Sequence, residues 1–377
     1  MRQKATAHLR SKARNVAGPL FDASSVCLYE RVAKTLSIVA AMSGGDRLLD
    51  LVNAYRLSRA TAVAIELRLP ELVADGPSRV EDLARVTAMH APSLRRLLRA
   101  LASYGVFAEQ ADGRFGKTDL SELLRRDNEA SVGHTIAMLD DAYHSWEQLK
   151  ASVETGTPVY ERIYGVSRWD YLATHPEESE KFNRAMVAAS TRDAPTIVAG
   201  CELQGASVIC DVGGGNGALL IAALKKHPRA AGIVFDLPQG VRGAEARFGA
   251  AGVADRCRVV AGDFFVDSPP AADAYLMKFI LHDWPDDDCV RILSKVRESM
   301  RPRSRLLVIE RALPERVTET ASAQGVTITD LHMMVMLGGR ERSEREYAQL
   351  LARAGLRHTT TRDAGAFSIL ESQYTPA

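Results

Sequence analysis

The stretch Ser207-Val208-Ile209-Cys210-Asp211-Val212-Gly213-Gly214-Gly215-Asn216-Gly217-Ala218 decides the fold. A short apolar run ends in an acid, glycines follow, and 218–227 then has helical character, so the order is strand, tight turn, helix. Gly232-Ile233-Val234-Phe235 reads as the next strand. The alternation continues through strands at 258–261 and 274–280, a helix at 289–300 and a strand at 306–309. That succession predicts an α/β domain over 201–377 on a mainly parallel sheet. An amphipathic helix at 343–354 and a last strand, Phe367-Ser368-Ile369-Leu370, close it.

Upstream the period is helical. A mostly apolar helix runs from Asp46 to Pro70, where proline stops it. Ser78-Arg79-Val80-Glu81 has the spacing of a capping box, with Leu83 and Val86 as the inner face of the helix it opens. Pro92 starts another helix carrying Leu94, Leu97, Leu98 and Leu101. Two strand-like runs then flank Asp112-Gly113, a hairpin signal. Helix, helix and hairpin over 46–130 predict a winged helix, whose second helix carries Arg95, Arg96 and Arg99. In a DNA-binding regulator those arginines would enter the major groove; on a solvated helix face they would simply meet water. The stretch 131–200 reads as a helical linker, with Trp146, Leu149 and Val153 on one face and Pro176 opening a segment through Phe182 and Met186. Its aromatics and methionines suit either a core or the walls of a pocket for a flat substrate.

The 377 residues allow two or three domains. A composition of 46% hydrophobic and 25% charged residues excludes disordered and collagenous classes. A net charge of +1 does not mark a general nucleic-acid binder, and no apolar run reaches the roughly 20 residues of a membrane span. The expectation is a soluble protein without nucleic-acid or membrane partners. Cys27, Cys201, Cys210, Cys257 and Cys289 match neither a disulfide ladder nor a zinc site, as expected of a cytoplasmic chain. Residues 1–45 form an extension. Its start carries Arg2, Lys4, Arg10, Lys12 and Arg14 without an acid, a pattern of a transit peptide, an over-long start or a solvated tail, of which the tail is the first reading. Leu20, Phe21, Val26, Leu28, Leu36 and Ile38 beyond it suggest a helix able to swap onto a partner subunit.

The glycines at 213–217 let backbone approach a ligand, although a tight turn packing helix on sheet, or the dinucleotide pattern met by Gly213, Gly215 and Ala218, would look the same. Asp236 ends the second strand, where an acid accepts hydrogen bonds from ribose hydroxyls. Asp263 ends the third beside Phe264, a seat for an adenine amino group and ring. Acids at three successive strand ends suit a nucleoside bearing a positive sulfonium better than a pyrophosphate. Asp286, Asp287 and Asp288 open a helix and complement its dipole, so no metal is expected there.

Six ordered motifs then carry a resemblance: Asp211-Val212-Gly213-Gly214-Gly215, Phe235-Asp236-Leu237-Pro238, Gly262-Asp263, Leu281-His282-Asp283-Trp284, Val308-Ile309-Glu310 and Gly338-Gly339-Arg340-Glu341-Arg342. From Leu49 to Leu370 the chain resembles the small-molecule O-methyltransferases that use S-adenosyl-L-methionine, a family with plant caffeate and flavonoid enzymes and bacterial aromatic-polyketide enzymes. The resemblance implies a class I methyltransferase Rossmann-like fold behind a winged-helix dimerisation domain, and a homodimer. It implies a cofactor site of Asp211, Gly213, Gly215, Asp236, Leu237, Asp263, Phe264 and Lys278. It makes His282 the general base, with Glu310 and Glu341 bracketing it. Tyr143, His144, Trp146 and Met186 fall where the family places its acceptor pocket, while His332, on an apolar helix just before the Gly-Gly-Arg motif, reads equally as a core residue or a substrate contact. The implied substrate is a hydroxyl on a small aromatic secondary metabolite. Carbon or nitrogen methylation on the same scaffold stays open, as does non-methylating chemistry.

Overall fold

The computed structural model describes residues 43–128 and 131–374. The expectations for the basic tail, the swapping helix and Cys27 therefore lie outside the described residues. The chain divides into two compact units, one ending at Ala60 and one beginning at Thr61. In the first, the described residues belong to a helix, Gly44–Glu66, on which Leu48, Leu49, Leu51, Val52 and Tyr55 are exposed.

In the second unit, helix Val80–Thr87 is followed by helix Ala91–Ser103, with Pro92 in its first turn. The antiparallel hairpin of β1 (Ala108–Glu109) and β2 (Phe115–Gly116) comes next. This is the anticipated winged-helix order, with three local corrections. Ser78 forms no capping box, because its backbone bridges to Phe115 and its hydroxyl turns toward the Leu72 carbonyl. The inner face of the first helix is Val80, Leu83 and Ala84, whereas Val86 is exposed. Asp112-Gly113 sits inside a longer turn, closed by Gln110 N–H donating to Arg114 O at 2.7 Å. On the second helix Arg95 meets Glu81 at 3.5 Å and Arg99 meets Glu109 at 3.1 Å, while Arg96 is exposed.

Residues 131–200 are helical as expected, ending in the long helix Pro176–Gly200. Trp146 and Leu149 pack against a cluster that includes Tyr160, Val335 and Met336, but Val153 faces solvent.

The second unit also contains a seven-stranded sheet. It comprises β3 (Val208–Val212), β4 (Ala231–Asp236), β5 (Cys257–Ala261), β6 (Ala274–Lys278), β7 (Arg305–Glu310), β8 (Leu356–Ala364) and β9 (Phe367–Tyr374), in the order β5-β4-β3-β6-β7-β9-β8. The first five in the chain are parallel, and β9 and β8 add an antiparallel edge. Strand β8 was not foreseen: Arg357, His358, Thr359 and Arg362 dilute its apolar signal, since it is an edge strand with a bulge near His358. Helices cover both faces and bury separate cores, one through Leu220 and Leu307, the other through Tyr275, Leu293 and Tyr347. Chain order reverses between β3 and β6, so a crevice opens at the carboxyl ends of the strands, the place where open α/β sheets bind ligands. No helix among the described residues is long and apolar enough to cross a membrane.

Candidate active site

Every parallel strand delivers a functional group at its carboxyl end. Beyond β3 the chain turns through glycines in the left-handed region, and Gly213 (φ +67°) shows why. A side-chain carbon there would stand 2.3 Å from Ile280 Cδ1. Beneath the turn lies Asp211, whose carboxyl abuts Gly214 and whose Oδ2 is buried without a hydrogen-bond partner. Burial pushes its pKa up to about 7.

Asp236, at the end of β4, accepts from Gly215 N–H at 2.8 Å and Leu237 N–H at 2.7 Å, tying the two turns together. Asp263 caps its own turn, accepting from Phe265 N–H at 2.9 Å, and Phe264 stands beside the glycine turn. Lys278, at the end of β6, reaches Ser190 Oγ at 3.3 Å. Burial depresses its pKa to about 8 against the opposing charges of Asp193, Glu310 and Asp211. The predicted cofactor residues thus lie at, or just beyond, the carboxyl ends of neighbouring parallel strands.

His282 sits in a short turn, Leu281–Asp283, directly after β6. Its Nδ1 lies 2.8 Å from Glu341 Oε1 and 3.9 Å from Glu310 Oε2. Glu310 Oε1 accepts from the Ile280 and Leu281 amides at 3.1 and 3.0 Å, so this acid holds the backbone that carries the imidazole. On the other side Nε2 is 3.4 Å from Asp283 Oδ1. Burial by itself would lower the pKa of His282, but Glu310, Asp283 and Glu341 outweigh it and raise it to about 10. Burial likewise lifts Asp283 to about 6 and Glu310 to about 7, against the pull of His282.

Several supporting residues escaped the motif reading. Phe279 adopts a left-handed backbone (φ +54°), rare for a bulky residue, and its ring stacks under His282 at 4.8 Å. Arg342 is fully buried and donates to the carbonyls of Leu281 and Trp284, both at 2.8 Å, and to Asp286. Gly339 packs so closely on the turn that a side-chain carbon would stand 2.1 Å from His282 O. Asp283 was quoted within a motif but given no role. The Gly-Gly-Arg-Glu-Arg run was the available signal for Gly339 and Arg342; Phe279 had none.

The acceptor-pocket candidates separate. Trp146 donates to His332 Nδ1 at 3.0 Å, which unites those two. Met186 is half-buried on helix Pro176–Gly200, and Tyr143 is half-buried in a short helix, Tyr143–Trp146. His144 instead points outward, 3.6 Å from Glu147, because its neighbour Ser145 takes the buried side of that turn. The three aspartates at 286–288 open helix Asp286–Ser299 and pair with Arg342, Arg353 and Arg291. The ligating atoms of His282, Glu310 and Glu341 lie within 4.8 Å of one another, a separation that would also admit a metal ion.

Comparison with known proteins adds an independent line. The O-methyltransferase domain family matches residues 146–357, and the O-methyltransferase dimerisation domain family matches residues 49–127. The chain is 37% identical over 340 residues to a mitomycin biosynthesis 6-O-methyltransferase of Streptomyces lavendulae, covering 89% of this chain and 96% of that one. The structure of a mitomycin 7-O-methyltransferase superposes with a TM-score of 0.81 at 38% identity, over 90% of this chain and all of that one. A neocarzinostatin-biosynthesis O-methyltransferase, solved with S-adenosylmethionine and 2-hydroxy-5-methyl naphthoic acid, gives a TM-score of 0.75 at 32% identity, over 89% of this chain and all of that one.

Proposed function

The chain belongs to the S-adenosylmethionine-dependent O-methyltransferase family, with its N-terminal dimerisation domain and class I catalytic fold, and on that premise we propose that it methylates a hydroxyl of a small aromatic metabolite with His282 as general base. The observation that carries this reading is the buried imidazole after β6, held through Nδ1 by Glu341 beside the glycine crevice. The crevice fits the cofactor: Gly215 has open space around it, and the buried Asp211 Oδ2 still lacks a partner. Gly213, Gly215, Asp236, Leu237, Asp263, Phe264 and Lys278 would hold the nucleoside and its tail, with Asp211 supporting the turn.

When bound, S-adenosylmethionine supplies a methyl group on a positively charged sulfur, already activated toward displacement. The protein must therefore align the acceptor and remove one proton. Glu341 takes the Nδ1 hydrogen bond, which leaves Nε2 to receive the proton from the acceptor hydroxyl. His282 is held largely as imidazolium by its three acidic neighbours, and it yields its extra proton more readily once a cation lies beside it. Glu310 fixes the turn, and Glu341 stabilises the imidazolium formed in the reaction. We assign residues 46–130 to the dimerisation domain, 131–200 to the linker and acceptor pocket, 201–377 to the catalytic domain, and a homodimer to the assembly.

Incubation of the protein with methyl-labelled donor and a panel of phenols, anilines and carbon nucleophiles, followed by product mass analysis, tests the reaction. Label in an aryl methyl ether supports oxygen transfer. Label only on nitrogen or carbon, or none anywhere, overturns it.

A further inference from the structure

A hydrogen bond at one ring atom does not fix a ring. Glu341 holds His282 at Nδ1, but the torsion that turns an imidazole about its Cβ–Cγ bond has broad minima and stays soft under a single contact. Other acceptors stand close by. Glu310 Oε2 lies 3.9 Å from Nδ1, and both it and Glu341 Oε2 are buried without a hydrogen-bond partner. A ring free to turn would sample them and swing Nε2 off its line. Something else must set the plane.

Phe279 occupies that place. Its ring lies 4.8 Å from the imidazole, centroid to centroid, with the two planes 16° apart. Its backbone is left-handed at φ +54°, a conformation that a bulky residue keeps only where the surroundings determine it, and such outliers gather at functional sites. Here the surroundings are explicit. The Phe279 N–H donates to Ile309 O at 3.1 Å, which ties the residue to β7, and Phe367 on β9 packs 5.3 Å from its ring. Lys278 Nζ lies 4.4 Å from the ring centroid and Arg311 Cζ 5.4 Å from it. Arg311 Nε is buried with no hydrogen-bond partner, and its guanidinium rests on Phe367 as well, at 5.3 Å.

Resting on the reading of His282 as base, we propose that Phe279 is a positioning residue that sets the plane of the imidazole, so that Nε2 faces the acceptor hydroxyl while Nδ1 stays on Glu341. The stack also carries an electrostatic preference. An aromatic face attracts a cation, so it favours the imidazolium, the form that His282 takes on accepting a proton. It works beside the charges of Glu310, Asp283 and Glu341, which act in the same sense, and against Lys278 and Arg311, the cations that share the ring. His332, kept neutral by burial, adds no charge.

The test uses full-length, ligand-free protein with isotope-labelled histidine nitrogens, the His282 resonances being those that His282→Gln removes. Phe279→Leu keeps apolar bulk and removes the flat face, whereas Phe279→Tyr keeps the face. Phe279→Leu should lower the midpoint of the His282 titration by about 0.5–1 pH unit, as expected of a cation losing an aromatic face, and the rising limb of kcat/KM should move with it. Its kcat should fall about tenfold or more through the misaimed nitrogen, with acceptor KM and calorimetric affinity for S-adenosylhomocysteine each within about threefold of wild type. Phe279→Tyr should restore the midpoint and most of kcat. Should Phe279→Leu fail to fold, Phe279→Met, unbranched and pliable, takes its place in the comparison. An unchanged midpoint, an unchanged kcat, a Phe279→Tyr protein as impaired as Phe279→Leu, or donor affinity lost in step with kcat overturns the role. The titration needs no turnover, so it stands or falls apart from the base reading, which His282→Ala tests.

Discussion

Nδ1 of His282 and Oε1 of Glu341 lie 2.8 Å apart, although 59 residues separate them in the chain. This contact is one of the interactions that hold the imidazole well above its ordinary pKa, with Glu310 and Asp283 adding their charges against the effect of burial. At neutral pH the free enzyme is therefore short of neutral imidazole. The value of kcat/KM for the acceptor should rise with pH above neutrality, toward the raised pKa of about 10. Glu341→Gln removes one raising charge, so the rising limb should move to lower pH while the maximum falls roughly 10²-fold or more. A limb that stays in place would show that this contact does not set the pKa of His282.

The same shift links pH to stability. A histidine whose folded pKa exceeds its unfolded value of 6.5 stabilises the fold fully below 6.5, and that contribution is lost as the pH rises through about 10. Thermal melts of the ligand-free protein should show a loss between these limits that is smaller in His282→Gln. An equal loss in both proteins would contradict the assignment.

Gly339 is the close-approach point between the loop that carries Glu341 and the turn that carries His282. Gly339→Ala drives a carbon into the His282 carbonyl, a misfit of about 1–3 kcal/mol by analogy with overpacked cores. Chemical denaturation should show that loss, and turnover should fall more than donor affinity does, because the displaced turn is the one carrying His282. Unchanged stability and turnover would mean that the loop relaxes freely.

Arg342 holds the carbonyls on either side of His282 while pairing with Asp286. A lysine is shorter and carries one ammonium, which cannot span all of these partners. Arg342→Lys should cost about 1–3 kcal/mol for each buried carbonyl it leaves unpaired, read by denaturation, with a matching fall in turnover. A variant of wild-type stability would show that these contacts are dispensable.

The metal-compatible spacing of His282, Glu310 and Glu341 has its own test. If Nδ1 bears the hydrogen donated to Glu341, it offers no lone pair to an ion. Exhaustive chelation should then leave methyl transfer within roughly twofold of its starting rate, and added zinc or magnesium should not raise it. A large loss on chelation, reversed by one of these ions, would make the cluster a metal centre.

The candidate site was legible in part because open parallel sheets gather polar groups at strand ends, and apolar runs lead into Asp211, Asp236 and Glu310; the strand read as 274–280 in fact ends at Lys278. The alternation that marks each strand also located the crevice. What stayed hidden depends on contacts between distant segments. Ser78-x-x-Glu81 and Ser343-x-x-Glu346 have the same spacing, yet only the second forms a capping box, since Ser78 is claimed by a bridge to Phe115. Phe279 carries no local sign of its left-handed backbone, and the burial of Arg342 follows from three carbonyls and an acid gathered by the fold. His144 and Trp146 are two residues apart, but the pitch of a single helical turn sends one outward and the other toward His332.

The proposed removal of a proton by His282 is best isolated in a single turnover, with enzyme in excess over acceptor and methyl-labelled S-adenosylmethionine already bound. His282→Ala should slow ether formation by roughly 10²–10⁴ while the calorimetric affinity for the donor stays within about threefold of wild type. Ether formation at the wild-type rate in that variant, with the donor bound normally, would contradict the assignment of the base.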